Sequence, residues 1–212
     1  MRVRDGRVQK ENNWSFDRGN LTAVAPRDVA VKRRKPGEGY RHVMTVSELR
    51  TFLELLPDWD ELAVGLRAIV LGGEEACDDC MGWYGSPGLI GICAWDHDLW
   101  WDIIEESWLD EHRLVLELLD VERRLLSEEE ERELLGPFAG SFDDRSFELR
   151  WTAGQARAFQ LLHILPHELG HHRDRITTSG KRRPQRGESY AESYANHVVR
   201  EVWSAYTRTF GV

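Results

Sequence analysis

The stretch His163 to Asp174, HILPHELGHHRD, constrains this chain more than any other, because its centre, His167-Glu168-Leu169-Gly170-His171, is an H-E-x-x-H arrangement. Residues four apart on a helix lie about a turn apart on one face, so His167 and His171 can bind one metal ion with Glu168 beside it. Catalytic zinc takes three protein ligands and keeps a fourth position for water, whose pKa falls to roughly 7. That chemistry gives Glu168 the role of general base. An amphipathic helix that merely carries two histidines accounts for neither the intervening glutamate nor the acidic residues downstream.

A chain of 212 residues is expected to form one domain, residues 1–212, that buries roughly 70% of its unfolded surface. Its net charge of −9, with 31% charged residues, argues against a general attraction to nucleic acid. No apolar run approaches the roughly 18 residues of a membrane span, and Met1 to Asp17 lacks the apolar core of a secretory signal. The expectation is a cytoplasmic protein with no membrane partner. Three cysteines, an odd count, fit a reducing compartment. The segment to about Arg41 runs against the overall charge, with Lys32-Arg33-Arg34-Lys35 followed by Pro36-Gly37-Glu38-Gly39. Such a run reads as a solvated loop, the alternative being a basic arm that touches nucleic acid or an acidic partner.

The pattern of elements predicts an α+β fold. Leu21 to Val31 offers one strand. Thr45 to Leu56 reads as a helix capped by Thr45 or Ser47, with Val46, Leu49, Phe52, Leu53 and Leu56 on one side, and Leu62 to Leu71 reads as a buried strand. Gly88 to Trp95 supplies a second strand and Asp98 to Leu119 a helix. Val121 to Leu126 makes a short strand, and Ser127 with Glu130 forms a capping box for a helix to about Leu135. Phe147 to Trp151 alternates as a half-buried strand, with Glu148 and Arg150 outward. Thr152 and Gln155 then cap the central helix. Pro166 removes a backbone hydrogen bond and predicts a kink before His167, and Gly170 clears space for close packing. Thr177 to Gly187 reads as a loop, and a last helix runs from Glu188 to about Tyr206.

Other residues offer metal chemistry. Cys77, Cys80, Cys93 and His97 follow C-x2-C-x12-C-x3-H, compatible with a second, structural zinc site, although Gly85 to Gly88 cannot form the interior of a finger helix. His112 has no acidic or cysteine partner at ligand spacing and reads as a surface or packing histidine. His163 reads as a packed core histidine. Asp174 is expected to support a ligating histidine, with a rival ligand role or an arginine-paired surface position as alternatives. Glu188 and Glu192 share one face of the last helix, where small alanines allow another helix to approach. If Glu188 is the third ligand, Glu192 sits one turn on, able to accept the free N–H of a ligating histidine; if Glu192 is the ligand, that outer role falls to Asn196.

The His167 to His171 motif, with Asp174 after it and Glu188-x-x-Ala191-Glu192-x-Tyr194-Ala195 on the next helix, resembles the gluzincin metallopeptidases. Within them it is most similar to the group of the anthrax lethal factor catalytic domain and the secreted proline-specific endopeptidases, with the intracellular ImmA/IrrE-type proteases as cousins. The resemblance spans about Phe147 to Tyr206, and no tyrosine stands shortly before Glu188, where some relatives carry a transition-state donor. It implies a zincin-like fold: a small twisted sheet, an active-site helix beneath it, and a carboxy-terminal helix that brings the third ligand. It also implies Zn2+ as cofactor, Glu188 as the third ligand and Glu192 in the outer role. An edge strand, with Gly88 to Trp95 as candidate, would take a peptide or protein substrate as an added strand. The expected function is a zinc-dependent endopeptidase with Glu168 as its general base. The alternatives are a noncatalytic zinc-binding interaction or regulatory module and, further off, a nucleic-acid-binding regulator.

Overall fold

The computed structural model describes residues 3–4, 7–8, 29–72, 81–85, 88–97, 101–135, 145–178 and 186–211. Strands β1 (Val3–Arg4) and β2 (Arg7–Val8) form a small antiparallel pair. Strand β3 (Ala30–Arg33) carries Lys32 and Arg33, so half of the basic run expected in a loop lies instead on a sheet edge. Both side chains are exposed there, and cations on an edge strand discourage pairing with other chains. Most of the strand expected over Leu21 to Val31 lies outside the described residues.

After β4 (Tyr40–Arg41), helix α1 (Val46–Leu53) opens at Thr45 with a capping box to Glu48, and Leu49, Phe52 and Leu53 are buried. The strand expected over Leu62 to Leu71 is shorter than its composition suggests. Helix α2 (Trp59–Leu62) occupies its start, and Gly65, at φ 77°, turns the chain before strand β5 (Ala68–Leu71), which is buried throughout. Next come β6 (Gly82–Gly85), which the sequence did not announce, β7 (Leu89–Ile92) and β8 (Trp95–Asp96). The region expected as one strand is thus β7 plus a separate β8, which pairs with β4.

The main sheet has the order β3-β5-β7-β6, with β3, β5 and β7 parallel and β6 antiparallel on the edge. Trp101 to Glu105 is strand β9 rather than helix; helices α3 (Glu106–Glu111) and α4 (Arg113–Leu118) follow. Strand pairing with a distant segment overrides the helix expected here: β9 joins β10 (Glu122–Leu125) and β11 (Ser146–Arg150) in the order β10-β11-β9, before and after helix α5 (Glu128–Leu135). Because β11 is central, Glu148 is not outward but 8% exposed, and its charge is met by Arg124 at 2.8 Å.

Thr152 caps α6 (Ala153–Phe159) with the expected box to Gln155. A π-helical turn, Gln160–Ile164, joins it to α7 (Leu165–Thr178). The irregularity expected from Pro166 therefore takes the form of a π turn: the Leu165 N–H bonds back to the Gln160 carbonyl, widening the helix just before the proline. Helix α8 (Glu188–Phe210) packs across α7. A Cβ on Gly170 would lie 2.8 Å from the Ala191 Cα and 3.2 Å from the Tyr194 Cβ, so the crossing requires glycine. One contiguous apolar core, from Val29 to Tyr206, joins the sheet to α1, α6, α7 and α8. No helix among the described residues is long and apolar enough to cross a membrane.

Candidate metal centre

Helical spacing in α7 stacks His167 above His171, with ring centroids 4.9 Å apart and their Nε2 atoms 3.2 Å apart. The first residue of α8 closes the group: the Glu188 Oε2 lies 3.2 Å from the His167 Nε2 and 3.3 Å from the His171 Nε2. Three donor atoms thus form a triangle with nearly equal edges. Ligands about 2.0–2.1 Å from a tetrahedral ion are roughly 3.3 Å from one another, so the residues present fit zinc.

The position of Glu188 depends on how α8 begins. Gly187 is its N-cap at φ 74° and ψ −153°, a conformation restricted to glycine, with no side-chain cap. In place of a cap, the Asp174 carboxylate accepts hydrogen bonds from the backbone N–H groups of Arg186 at 2.6 Å and Gly187 at 3.1 Å, and from the Arg186 Nε at 2.8 Å. Asp174 was expected to serve a histidine ring; it is buried, 2% exposed, and it serves the backbone that leads into Glu188. Burial alone would raise its pKa, and the Arg186 side chain and two backbone donors lower it on balance. Further along, the Tyr194 hydroxyl donates to Asp58, which also pairs with Arg173 of α7, locking the two helices together.

Glu192 sits one turn beyond Glu188, and its Oε2 lies 3.3 Å from the His167 Nδ1. With the Nδ1 proton donated there, the His167 Nε2 presents its lone pair to the triangle, the tautomer a metal requires. The Glu192 Oε1 accepts from the Asn196 Nδ2 at 2.9 Å. Burial by itself would raise the Glu192 pKa; hydrogen bonds from His163 and His167 outweigh it and hold the carboxyl far below the usual carboxylate range. Burial lowers His167, yet its bond to Glu192 and the nearby carboxylates leave it raised, whereas burial dominates at His171 and lowers it. His172 turns away from the cleft, as its place one residue on from His171 requires; its Nδ1 meets the Tyr84 hydroxyl at 3.3 Å and its Nε2 the Val64 carbonyl at 3.0 Å.

Glu168 is 7% exposed and lies against strand β6. A Cβ on Gly82 would stand 3.2 Å from both the Glu168 Cγ and Oε1 and 2.7 Å from Ile164. The edge strand therefore runs directly beside the carboxylate. His167, Glu168, His171, Glu188 and Glu192 line an open cleft of about 1590 Å³ with an aromatic wall that includes Tyr40, Trp83, Trp95 and Trp108. No family model, no curated protein and no solved structure matches this chain.

Sequence reasoning placed His163 and His112 in packing roles, and packing is part of what they do. His163 is 2% exposed and stacks on Phe159, and His112 stacks on Trp108 at 3.9 Å. Both also reach polar partners: the His112 Nδ1 donates to the Trp108 carbonyl one turn back at 2.8 Å, and the His163 Nε2 lies 3.4 Å from the Glu192 Oε2, a partner that no local spacing announces. Of the possible structural zinc site, Cys77 and Cys80 lie outside the described residues. Cys93 is buried with its carbonyl accepting from Gln160, and His97 is exposed.

Proposed function

We propose that this chain is a zinc-dependent peptidase of zincin-like fold, with His167, His171 and Glu188 as metal ligands and Glu168 as general base. The observation that carries the reading is the triangle of donors, with edges of 3.2 to 3.3 Å, together with a buried carboxylate beside it. Two imidazoles and one carboxylate are a donor set typical of catalytic zinc, which leaves a position for water or substrate. Zinc held there would polarise a peptide carbonyl and make water a stronger acid.

The remaining roles fall to this chain's own groups. Glu168 takes a proton from the attacking water and passes it to the departing amine, a transfer worth typically 10²- to 10⁴-fold in rate. Glu192 holds the His167 ring in its binding tautomer, and Asn196 steadies Glu192. Strand β6, the terminal and antiparallel strand of its sheet, suits an extended peptide laid along it beside Glu168. Strand β7, first expected in that role, is bonded to β5 on one side and β6 on the other and has no edge to offer.

Metal analysis and a peptide-library cleavage profile of wild type and Glu168→Gln test this reading. Both proteins should retain the metal that depends on His171, and only wild type should cleave. Equal cleavage by both would remove Glu168 as base, and metal binding without cleavage by either would favour a noncatalytic zinc module.

A further inference from the structure

We propose that His112, His163 and Glu192 form a second divalent-cation site on the cleft wall, suited to a transition metal that accepts imidazole and carboxylate ligands, such as Zn2+ or Co2+. One donor atom from each residue lies within 4.8 Å of the other two, and all three residues line the cleft, which gives an ion a path of entry. The pair His163 Nε2 and Glu192 Oε2, 3.4 Å apart, already has roughly the spacing of two ligands on one tetrahedral ion. The His112 and His163 rings approach edge to face with centroids 4.5 Å apart.

The surroundings prepare the ligands. The Nδ1–H of His112 donates to the Trp108 carbonyl, which fixes the tautomer and leaves Nε2 as the lone-pair nitrogen, the usual arrangement behind a ligating histidine. Stacking against Trp108 at an interplanar angle of 18° holds the ring, and Phe159 does the same for His163 at 16°. His163 also belongs to the π-helical turn, and such turns occur often at functional sites. Imidazole nitrogen and carboxylate oxygen together favour zinc and its neighbours over magnesium or calcium.

Glu192 links this site to the first. Its Oε2 faces both the His163 Nε2 and the His167 Nδ1, while its Oε1 is engaged by Asn196. A cation bound by Oε2 at the second site draws that oxygen away from His167, so each site should weaken the other's affinity by the same factor.

Full-length protein, freed of metal by chelation and titrated with Zn2+ by calorimetry and with Co2+ by visible absorption, tests the site. Wild type should bind one more equivalent than His112→Phe, which keeps the aromatic stack and removes the donor. His171→Ala and Cys77→Ser should each retain the equivalent that depends on His112. Equal stoichiometry in wild type and His112→Phe would overturn the proposal, as would loss of the same equivalent in Cys77→Ser. Circular dichroism checks folding, and His112→Gln is the second variant if the phenylalanine disturbs it. A His112-dependent equivalent without a His171-dependent one would support this site and count against the peptidase centre.

Discussion

Two clusters of candidate metal ligands meet at Glu192, and they are held in opposite ways. His167, His171 and Glu188 form the open one: the Glu188 side chain is 82% exposed, and its position depends on the first turn of α8. His112, His163 and Glu192 form the enclosed one, with His163 2% exposed between Phe159 and the cleft. An open cluster leaves room for water and substrate but relies on tethers behind it, here Asp174 and the Gly170 crossing. An enclosed cluster is positioned by the core itself, at the cost of access.

Removing one ligand should separate the clusters most sharply. Glu188→Ala is expected to abolish the His171-dependent zinc site and leave the His112-dependent equivalent in place, as read by calorimetric titration. Glu192→Gln should reverse the pattern, eliminating the second equivalent and weakening the first by about 10- to 100-fold, the usual effect of losing a ligand's supporting partner. The opposite order of losses at the first site would make Glu192 its ligand.

Gly170→Ala perturbs both clusters at once, because the added Cβ meets the Ala191 backbone and must push α8, with Glu188 and Glu192, away from α7. Overpacking of this kind costs about 1–3 kcal/mol, partly offset by roughly 1 kcal/mol of helix propensity. Thermal denaturation should show a net loss, with weaker zinc binding at both sites. Gly82→Ala acts from the sheet side: its Cβ would meet Ile164 at 2.7 Å and crowd Glu168 at 3.2 Å, so kcat should fall while both metal equivalents remain.

Asp174→Asn acts on the open cluster alone. Weakening the bonds to the backbone of Arg186 and Gly187 should cost about 1–3 kcal/mol and loosen Glu188 without disturbing His112. Its pH dependence has a definite sign. The folded pKa of Asp174 lies below its ordinary value, so its contribution to stability is present above about pH 4 and is lost as the pH falls through the folded value, where the unfolded chain takes up the proton first. Urea denaturation of wild type between about pH 5 and 3 should show this acid-sensitive component, and Asp174→Asn should lack it. Identical slopes would mean that Asp174 is not the tether.

Much of the open cluster was legible in the chain. The spacing of His167 and His171, the capping boxes at Thr45, Ser127 and Thr152, and the irregularity before Pro166 are all local features of helices. Helical geometry relates residues within a turn or two, so residue order alone carries that information. Tertiary structure decided the rest. The strand beside Glu168 proved to be β6 because sheet order follows from pairing among distant segments, and β7 was taken up on both sides. Burial of Glu148 required β10 and β9 to flank β11, and Asp174 found its donors at Arg186 and Gly187 rather than on its own helix. His112, His163 and Glu192 come from three separated segments, brought together by the packing of α3, α4, the π turn and α8. No periodicity encodes such a meeting, because it depends on the closure of the whole core.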